Sequence, residues 1–400
     1  MRSACWRNKK MLQKITGRLI TENGIIQNGE VCFENGKVVS AGERTCDQGY
    51  AVTDYGNKYI SPGFVDIHLH GGGGSDFMDG TVEAYLTAAR LHGSHGTTAM
   101  LPTTLTCPDE ELFRTFETFR KASKTENNGS DLCGIHLEGP YFSPAQKGAQ
   151  DERFLKKPTP DHYMPILKAG KDIIKRWTVA PELEGAMELG KMLADEGILA
   201  SMGHSDAEYT TVLEGYKNGY NLLTHFYSGM SSMVRRGGFR IPGMIESGYI
   251  IDDMRVEVIA DGCHLPPCIL GSLYRIKGAD KMCLVTDSMR GAGQTSGTTI
   301  LGSLENGYEV FIEDGVAKMP DRQAFAGSIA TADRLVRTMY KQAEVPLHHA
   351  VKMMTATPAR FAGLQNKGTL EAGKDADIAV FDDDINVCAV YVRGKEIKNG

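Results

Sequence analysis

Two histidines separated by one leucine, His68 and His70, close an apolar run, SPGFVDIHLH, that reads as a buried strand. Side chains alternate faces along a strand, so residues two apart project side by side. Two imidazoles converging at one strand end suit a divalent metal. A lone His-x-His pair is weak, and its weight depends on whether more metal-compatible groups end later strands. Five further segments supply them: LCGIHLE ends in Glu138, LASMGH in His204, NLLTH in His225, VEVIADGCH in Asp261 and His264, and MCLVTD in Asp287. Each has a plainer reading, since polar residues often end strands, and Asp287 before Ser288 could cap a following helix. Taken together, with an apolar strand behind each, they point to a metal centre.

The chemistry follows from the donor types. Nitrogen and oxygen ligands without thiolate suit zinc, iron(II), manganese or cobalt. Such a metal lowers the pKa of bound water to about 7. A carboxylate not committed to the metal can take that water's proton and pass it to a leaving group, and Asp287 is the candidate. Metal-assisted hydrolysis is the expected reaction class. His136 shares a face with Glu138 and is placed behind the ligands. His92, His95, His348 and His349 are assigned to structure.

The elements that must position these groups form an alternating series over residues 62–361. Eight strand-like apolar runs can be counted, several followed by amphipathic stretches such as DEELFRTFETFRKAS, GAMELGKMLADEG and AEYTTVLEGYKNG. That alternation predicts a parallel sheet closed into an α/β (β/α)8 TIM-type barrel, whose active site lies at the C-terminal strand ends. Residues 1–61 and 362–400 carry short apolar runs with glycine turns, at Asn23-Gly24, Asn28-Gly29, Asn35-Gly36 and Ala41-Gly42 among others. Neither end buries enough alone, so both are expected to join as one small β-sandwich domain.

Composition narrows the class. A chain of 400 residues with 41% hydrophobic and 24% charged residues has the balance of a globular protein, and a net charge of −6 argues against a general nucleic-acid binder. No apolar segment is long enough to predict a membrane-spanning helix. The basic start, MRSACWRNKKMLQK, has no apolar run behind it, and the expected location is the cytoplasm. Nine cysteines without a CxxC pair read as free thiols, with Cys263 beside His264 the one near candidate chemistry.

Several segments together resemble the amidohydrolase superfamily, and more closely the N-acetylglucosamine-6-phosphate deacetylase family: SPGFVDIHLHGGGG, GIHLEGPYFSPAQKGA, MGHSDA, THFYSGMS, IADGCHLPP, LVTDSMRGAG, FAGSIATADRLVR and, near the C-terminus, KGTLEAGKDADIAVFD. They run in order through the barrel and the small domain. The resemblance implies hydrolysis of the acetamide of a 6-phosphorylated amino sugar. It implies Glu138, His204 and His225 as common ligands of a divalent metal, zinc foremost. His68 and His70 would hold a second metal where two are bound, and Asp287 would act as base and then acid. It places Ala149, Gln150, Ser228, Gly229, Arg236, His264, Ala326 and Gly327 against the substrate. It also implies a homodimer in which Arg236 crosses to the neighbouring subunit.

Three positions depart from the family pattern. Gln150 stands where many members have a histidine, Ser228-Gly229 replaces Asn-Ala, and the RRGGFR segment replaces Arg-Glu-Pro-Gly. All fall on substrate contacts rather than on metal ligands. An amidohydrolase acting on another N-acyl sugar, an N-acyl amino acid or a cyclic amide is therefore the alternative, with a non-catalytic sugar-phosphate-binding protein behind it.

Overall fold

The computed structural model describes residues 12–397, so Cys5 and most of the basic start lie outside the described residues. Four strands come first: β1 (Leu12–Thr21), β2 (Gly24–Glu34), β3 (Lys37–Glu43) and β4 (Tyr50–Pro62). Two of the anticipated turns form. Asn35 and Gly36 both take positive φ, 52° and 81°, the conformation a tight hairpin demands. Asn28-Gly29 and Ala41-Gly42 instead lie inside strands. A Cβ on Gly29 would sit 2.4 Å from the Leu19 Cβ, beside a register shift in β1, so close approach rather than turning requires that glycine.

The barrel strands are β5 (Phe64–Leu69), β6 (Thr97–Thr104), β7 (Ile135–Glu138), β8 (Ile174–Val179), β9 (Leu199–Met202), β10 (Leu222–Leu223), β11 (Arg255–Val258) and β12 (Met282–Leu284). Each pairs in parallel with the next. The ring closes just beyond β12, where the Asp287 amide donates to the His68 carbonyl at 2.9 Å and the His70 amide to the Ser288 carbonyl at 2.7 Å. Helices Val82–Ser94, Asp109–Ala122, Ala186–Asp195, Tyr209–Lys217, Pro267–Lys281 and Ala332–Lys341 lie among the connections. Val65, Ile67, Ala99, Leu101, Leu222 and Val285 fill the interior, and Ala359, Phe361 and Ala362 pack into the same cluster.

An inserted sheet was not anticipated from sequence: β13 (Gly297–Leu301), β14 (Tyr308–Glu313) and β15 (Val316–Lys318). Its short, glycine-punctuated strands leave no long alternation to read. It builds its own core from Met289, Leu301, Val310, Ile312, Ala317 and Ala326. The Arg290 guanidinium ties its base to Asp79 at 2.6 Å.

The chain then returns through β16 (Ile378–Phe381), β17 (Val387–Val392) and β18 (Lys395–Ile397). These complete one seven-stranded sheet in the order β18-β17-β16-β4-β1-β2-β3. The sheet curls until its two halves face each other. Phe33 of β2 meets Tyr391 of β17 with ring centroids 5.6 Å apart, and the Val38 amide donates to the Lys374 carbonyl at 2.9 Å. No helix among the described residues is long and apolar enough to cross a membrane.

Candidate metal centre at the barrel mouth

Glu138, at the end of β7, stands at the centre of the mouth. Its Oε1 lies 3.2 Å from His204 Nε2, 3.1 Å from His225 Nε2 and 3.4 Å from His68 Nε2. Its Oε2 lies 3.3 Å from His70 Nε2. Asp287, just beyond β12, faces His68 and His70, with Oδ1 3.2 Å from His70 Nε2 and 3.5 Å from His68 Nε2. Two donor groups result, Glu138/His204/His225 and His68/His70/Asp287, each within coordination reach. Asp287 caps no helix.

Three of the four imidazoles are held from behind, while His70 Nδ1 is buried without a partner. Nδ1 of His68 contacts Glu257 Oε1 at 2.8 Å, Nδ1 of His204 the Gln146 carbonyl at 2.9 Å, and Nδ1 of His225 the Ser228 carbonyl at 3.1 Å. An N–H donated outward leaves the Nε2 lone pair facing inward, the arrangement that metal-binding histidines use. His68 Nε2 is buried without a hydrogen-bond partner. Four convergent nitrogens, one of them without a hydrogen-bond partner, and two carboxylates fit a divalent cation. Backbone strain accompanies the geometry, since His204, His225 and Asp287 all take positive φ, at 48°, 30° and 47°.

The electrostatics agree. Burial by itself would lower the His68 and His70 pKa values, but the neighbouring carboxylates outweigh it. Glu138, Asp287 and Glu257 push His68 up to about 9, and Asp287 and Glu138 push His70 up to about 10. Burial would raise Glu138 and Asp287, yet His68 and the other imidazoles hold both below the usual carboxylate range. The mouth thus retains positive charge between its carboxylates, as protons or as a metal.

Behind the mouth sits a buried ion pair not singled out in the sequence. Arg176 Nη1 meets Glu257 Oε2 at 2.5 Å, and Glu257 Oε1 also accepts from the His225 amide at 2.9 Å. Arg176 further donates to Ser201 Oγ, Thr224 Oγ1 and the Ile67 carbonyl. Burial would raise Glu257, but Arg176 and His68 bring it to about 2. A charge inside an otherwise apolar strand, as in RWTV and VEVI, is the signal that could have found both. His136 packs its ring 4.6 Å from that of His68 and binds Thr178 Oγ1 at 2.7 Å, behind the ligands.

A cavity of about 450 Å³ opens over these groups, lined by His70, Glu138, His204, His225 and Asp287 and by Ala149, Gln150, Ser228, Gly229, His264 and Gly327. Ala326 lies instead in the core of the inserted sheet. Arg236 is largely exposed on a hairpin, Val234–Arg236 with Phe239–Ile241, and pairs with Glu208 at 2.8 Å. Gln150 accepts from the Thr106 amide at 2.9 Å, which aims its Nε2 at Glu138 Oε2, 2.8 Å away. His264 is anchored through Nδ1 on Asp261 at 2.8 Å. The cysteines among the described residues are free, and Cys263 contacts the Asp314 carbonyl and Arg334 outside the cavity lining.

The model of the amidohydrolase family matches residues 59–397. The chain belongs to the amidohydrolase family. Within it the chain groups with the N-acetylglucosamine-6-phosphate deacetylases. The Bacillus subtilis (strain 168) enzyme of that name is 31% identical over 382 residues, covering 94% of each chain. An N-acetylgalactosamine-6-phosphate deacetylase of Escherichia coli O157:H7 is 28% identical over 94% of this chain and 97% of its own. A variant of the Mycobacterium smegmatis N-acetyl-D-glucosamine-6-phosphate deacetylase, solved with N-acetyl-D-glucosamine-6-phosphate, superposes with a TM-score of 0.89 at 29% identity, over 97% of this chain and 99% of that one. The Thermotoga maritima N-acetylglucosamine-6-phosphate deacetylase gives a TM-score of 0.83 at 30% identity, over 96% and 98%.

Proposed function

We propose that this amidohydrolase removes the acetyl group from an N-acetylhexosamine 6-phosphate, yielding acetate and the amino-sugar phosphate. The observation that carries the reading is the convergence of four imidazole Nε2 atoms on Glu138, with Asp287 opposite, under a sugar-sized cavity. Glu138, His204 and His225 would hold one divalent metal, zinc first among the candidates, and His68 and His70 a second. When bound, the metal supplies a water of lowered pKa and polarises the acetamide carbonyl.

The chain's own residues do the rest. Asp287, held ionised by His68 and His70, takes a proton from the attacking water and returns it to the departing nitrogen. Gln150 is bound to Glu138 and orients that carboxylate, so its carboxamide is not the free carbonyl contact that the family histidine would be. Ser228, Gly229, Ala149 and Gly327 line the sugar's path, and His264 faces the phosphate end. Ala326 supports Gly327 from the inserted sheet's core. We read the exposed hairpin bearing Arg236, with Met233, Val234 and Phe239 uncovered, as the contact of a cytoplasmic homodimer. Residues 1–61 with 362–400 form the small domain in this reading, and 62–361 the catalytic barrel.

The test is acetate release by metal-defined protein from the gluco, galacto and manno N-acetylhexosamine 6-phosphates and from the free sugars, with metal content measured on the same sample. Relatives of both gluco and galacto specificity are similar to this chain, so both epimers belong in the panel. Turnover of a 6-phosphate at rates the free sugars do not reach is the expected result. Equal turnover with and without phosphate would sink the reading.

A further inference from the structure

The family resemblance provides His264 and a second copy's Arg236 for the phosphate. The cavity contains another cation, contributed by the inserted sheet. Among the described residues that line it, Arg322 is the one Lys or Arg. Gln323, Ala324 and Phe325 from the same loop line it too. The loop leaves β15 at Lys318 and is pinned at its base. Met319 N donates to the Ala324 carbonyl at 2.9 Å, Arg322 N to the Met319 carbonyl at 2.9 Å, and Ala326 N to the Ala317 carbonyl at 2.9 Å. Its far end leans on the site, with the Phe325 ring 4.8 Å from that of His264.

Arg322 is held ready rather than consumed. Its guanidinium stacks 3.8 Å over the Phe311 ring, and Nε contacts Glu313 Oε1 at 3.3 Å. Nη1 donates to the Pro320 carbonyl, so its hydrogen bonds among the described residues use Nε and Nη1. Nη2 makes no hydrogen bond among the described residues. Lys318 lies 3.5 Å from the same Glu313, which divides that carboxylate between two cations. Arg322 also takes φ +58°, a left-handed conformation in which glycine would be free of strain. A bulky cation kept at such a position, in the cavity lining and on the loop whose Phe325 meets His264, suits a planar fork able to take an anion.

We propose that Arg322 binds the 6-phosphate of the substrate from within the same chain, and that the Pro320–Phe325 loop, seated on His264, is a specificity element for phosphorylated over free sugars. This rests on the deacetylase reading given above. Arg236 of a second copy would approach the same anion from outside, which makes the phosphate pocket a junction between an internal and an external arginine.

The experiment compares the wild type, Arg322→Gly, Arg322→Lys and Arg236→Ala on a 6-phosphate and on its free sugar. Glycine is chosen because it relaxes the left-handed turn, so a binding defect is not a consequence of backbone strain. The expected result is a KM for the 6-phosphate raised about tenfold to a hundredfold in Arg322→Gly, the usual worth of a hydrogen bond to a charged group. The kcat should change little, and Arg322→Lys should recover part of the loss. Inorganic phosphate, as a competitive inhibitor, should weaken in parallel. An unchanged KM, or an equal loss of kcat/KM on both substrates, would overturn the proposal. The deacetylase reading fails separately, if the wild type does not favour the phosphorylated sugar.

Discussion

The barrel mouth and the seam between barrel and small domain each gather acidic groups close enough to hold a cation, and they resolve that problem in opposite ways. At the seam, Asp131, Asp375 and Asp377 converge. Lys367 fills the space between them, with Nζ at 2.6, 2.9 and 2.7 Å from the three carboxylates. Arg393 adds a contact to Asp131 at 2.8 Å. At the mouth no lysine or arginine among the described residues pairs with Glu138 or Asp287, and imidazoles face them instead. A cluster whose cation is covalently part of the chain is a fastener. A cluster whose cation must come from solution, as protons or metal, is a working site. Ligand-type spacing alone does not distinguish the two, and the occupant of the centre does.

Removing the built-in cation should have the largest effect. Lys367→Met leaves buried Asp377 without a cation, and Asp131 and Asp375 with only the more exposed Arg393 and Lys37, and breaking a buried pair in this way costs about 3–5 kcal/mol. Urea unfolding should register that loss, while metal bound per chain at the mouth stays at the wild-type value. Carboxylate oxygens suit calcium, so added calcium should restore part of the stability of the variant and none of the wild type's. A variant as stable as the wild type would show that Lys367 is an ornament of the seam rather than its cation.

Asp287→Asn probes the other side. The amide keeps the shape but cannot take a proton, and general-base terms run about 10²–10⁴ in rate. Turnover should fall at least roughly a hundredfold, equivalent to about 2.7 kcal/mol. Thermal stability should hold, because the mouth loses one charge among several that compensate each other. Turnover near the wild-type value would remove Asp287 from the proton path.

Much of this was legible because it follows periodicity. The eight strands and the His68, His70, Glu138, His204, His225 and Asp287 set lie where alternation and strand ends place them. The KGTLEAGKDAD segment was legible as a motif but not as a device, since only the fold brings Asp131 to Lys367 across 236 residues. The inserted sheet was missed because its short strands carry no sustained pattern. Arg176 and Glu257 were missed because reading strands by their apolar content discounts a charge inside one. Arg322 stands in a loop, where no periodicity applies and only the tertiary fold reveals that it faces the cavity.

His92 sharpens the comparison from a third direction, since it is a buried imidazole without an adjacent carboxylate. Its Nε2 contacts the Gly71 carbonyl at 2.9 Å, one residue beyond His70. Burial brings its pKa down to about 4, with His95 also lowering it and the Gly71 carbonyl and Asp333 only partly opposing. His70, next to the carbonyl that His92 contacts, moves the other way because carboxylates face it. The folded pKa of His92 lies below the ordinary imidazole value, so the unfolded chain binds the extra proton first. Its contribution to stability is therefore complete above about pH 6.5 and is lost as the pH falls toward about 4. Moving from about pH 7.5 to about pH 5.5 should cost the wild type about 1.4 kcal/mol more than His92→Gln, whose amide can still meet the Gly71 carbonyl and has no proton to gain. Urea titrations of both proteins at the two pH values give the difference directly. Parallel losses in the two would mean that the acid sensitivity belongs to the mouth, where protons and metal compete, and not to the buried imidazole beside it.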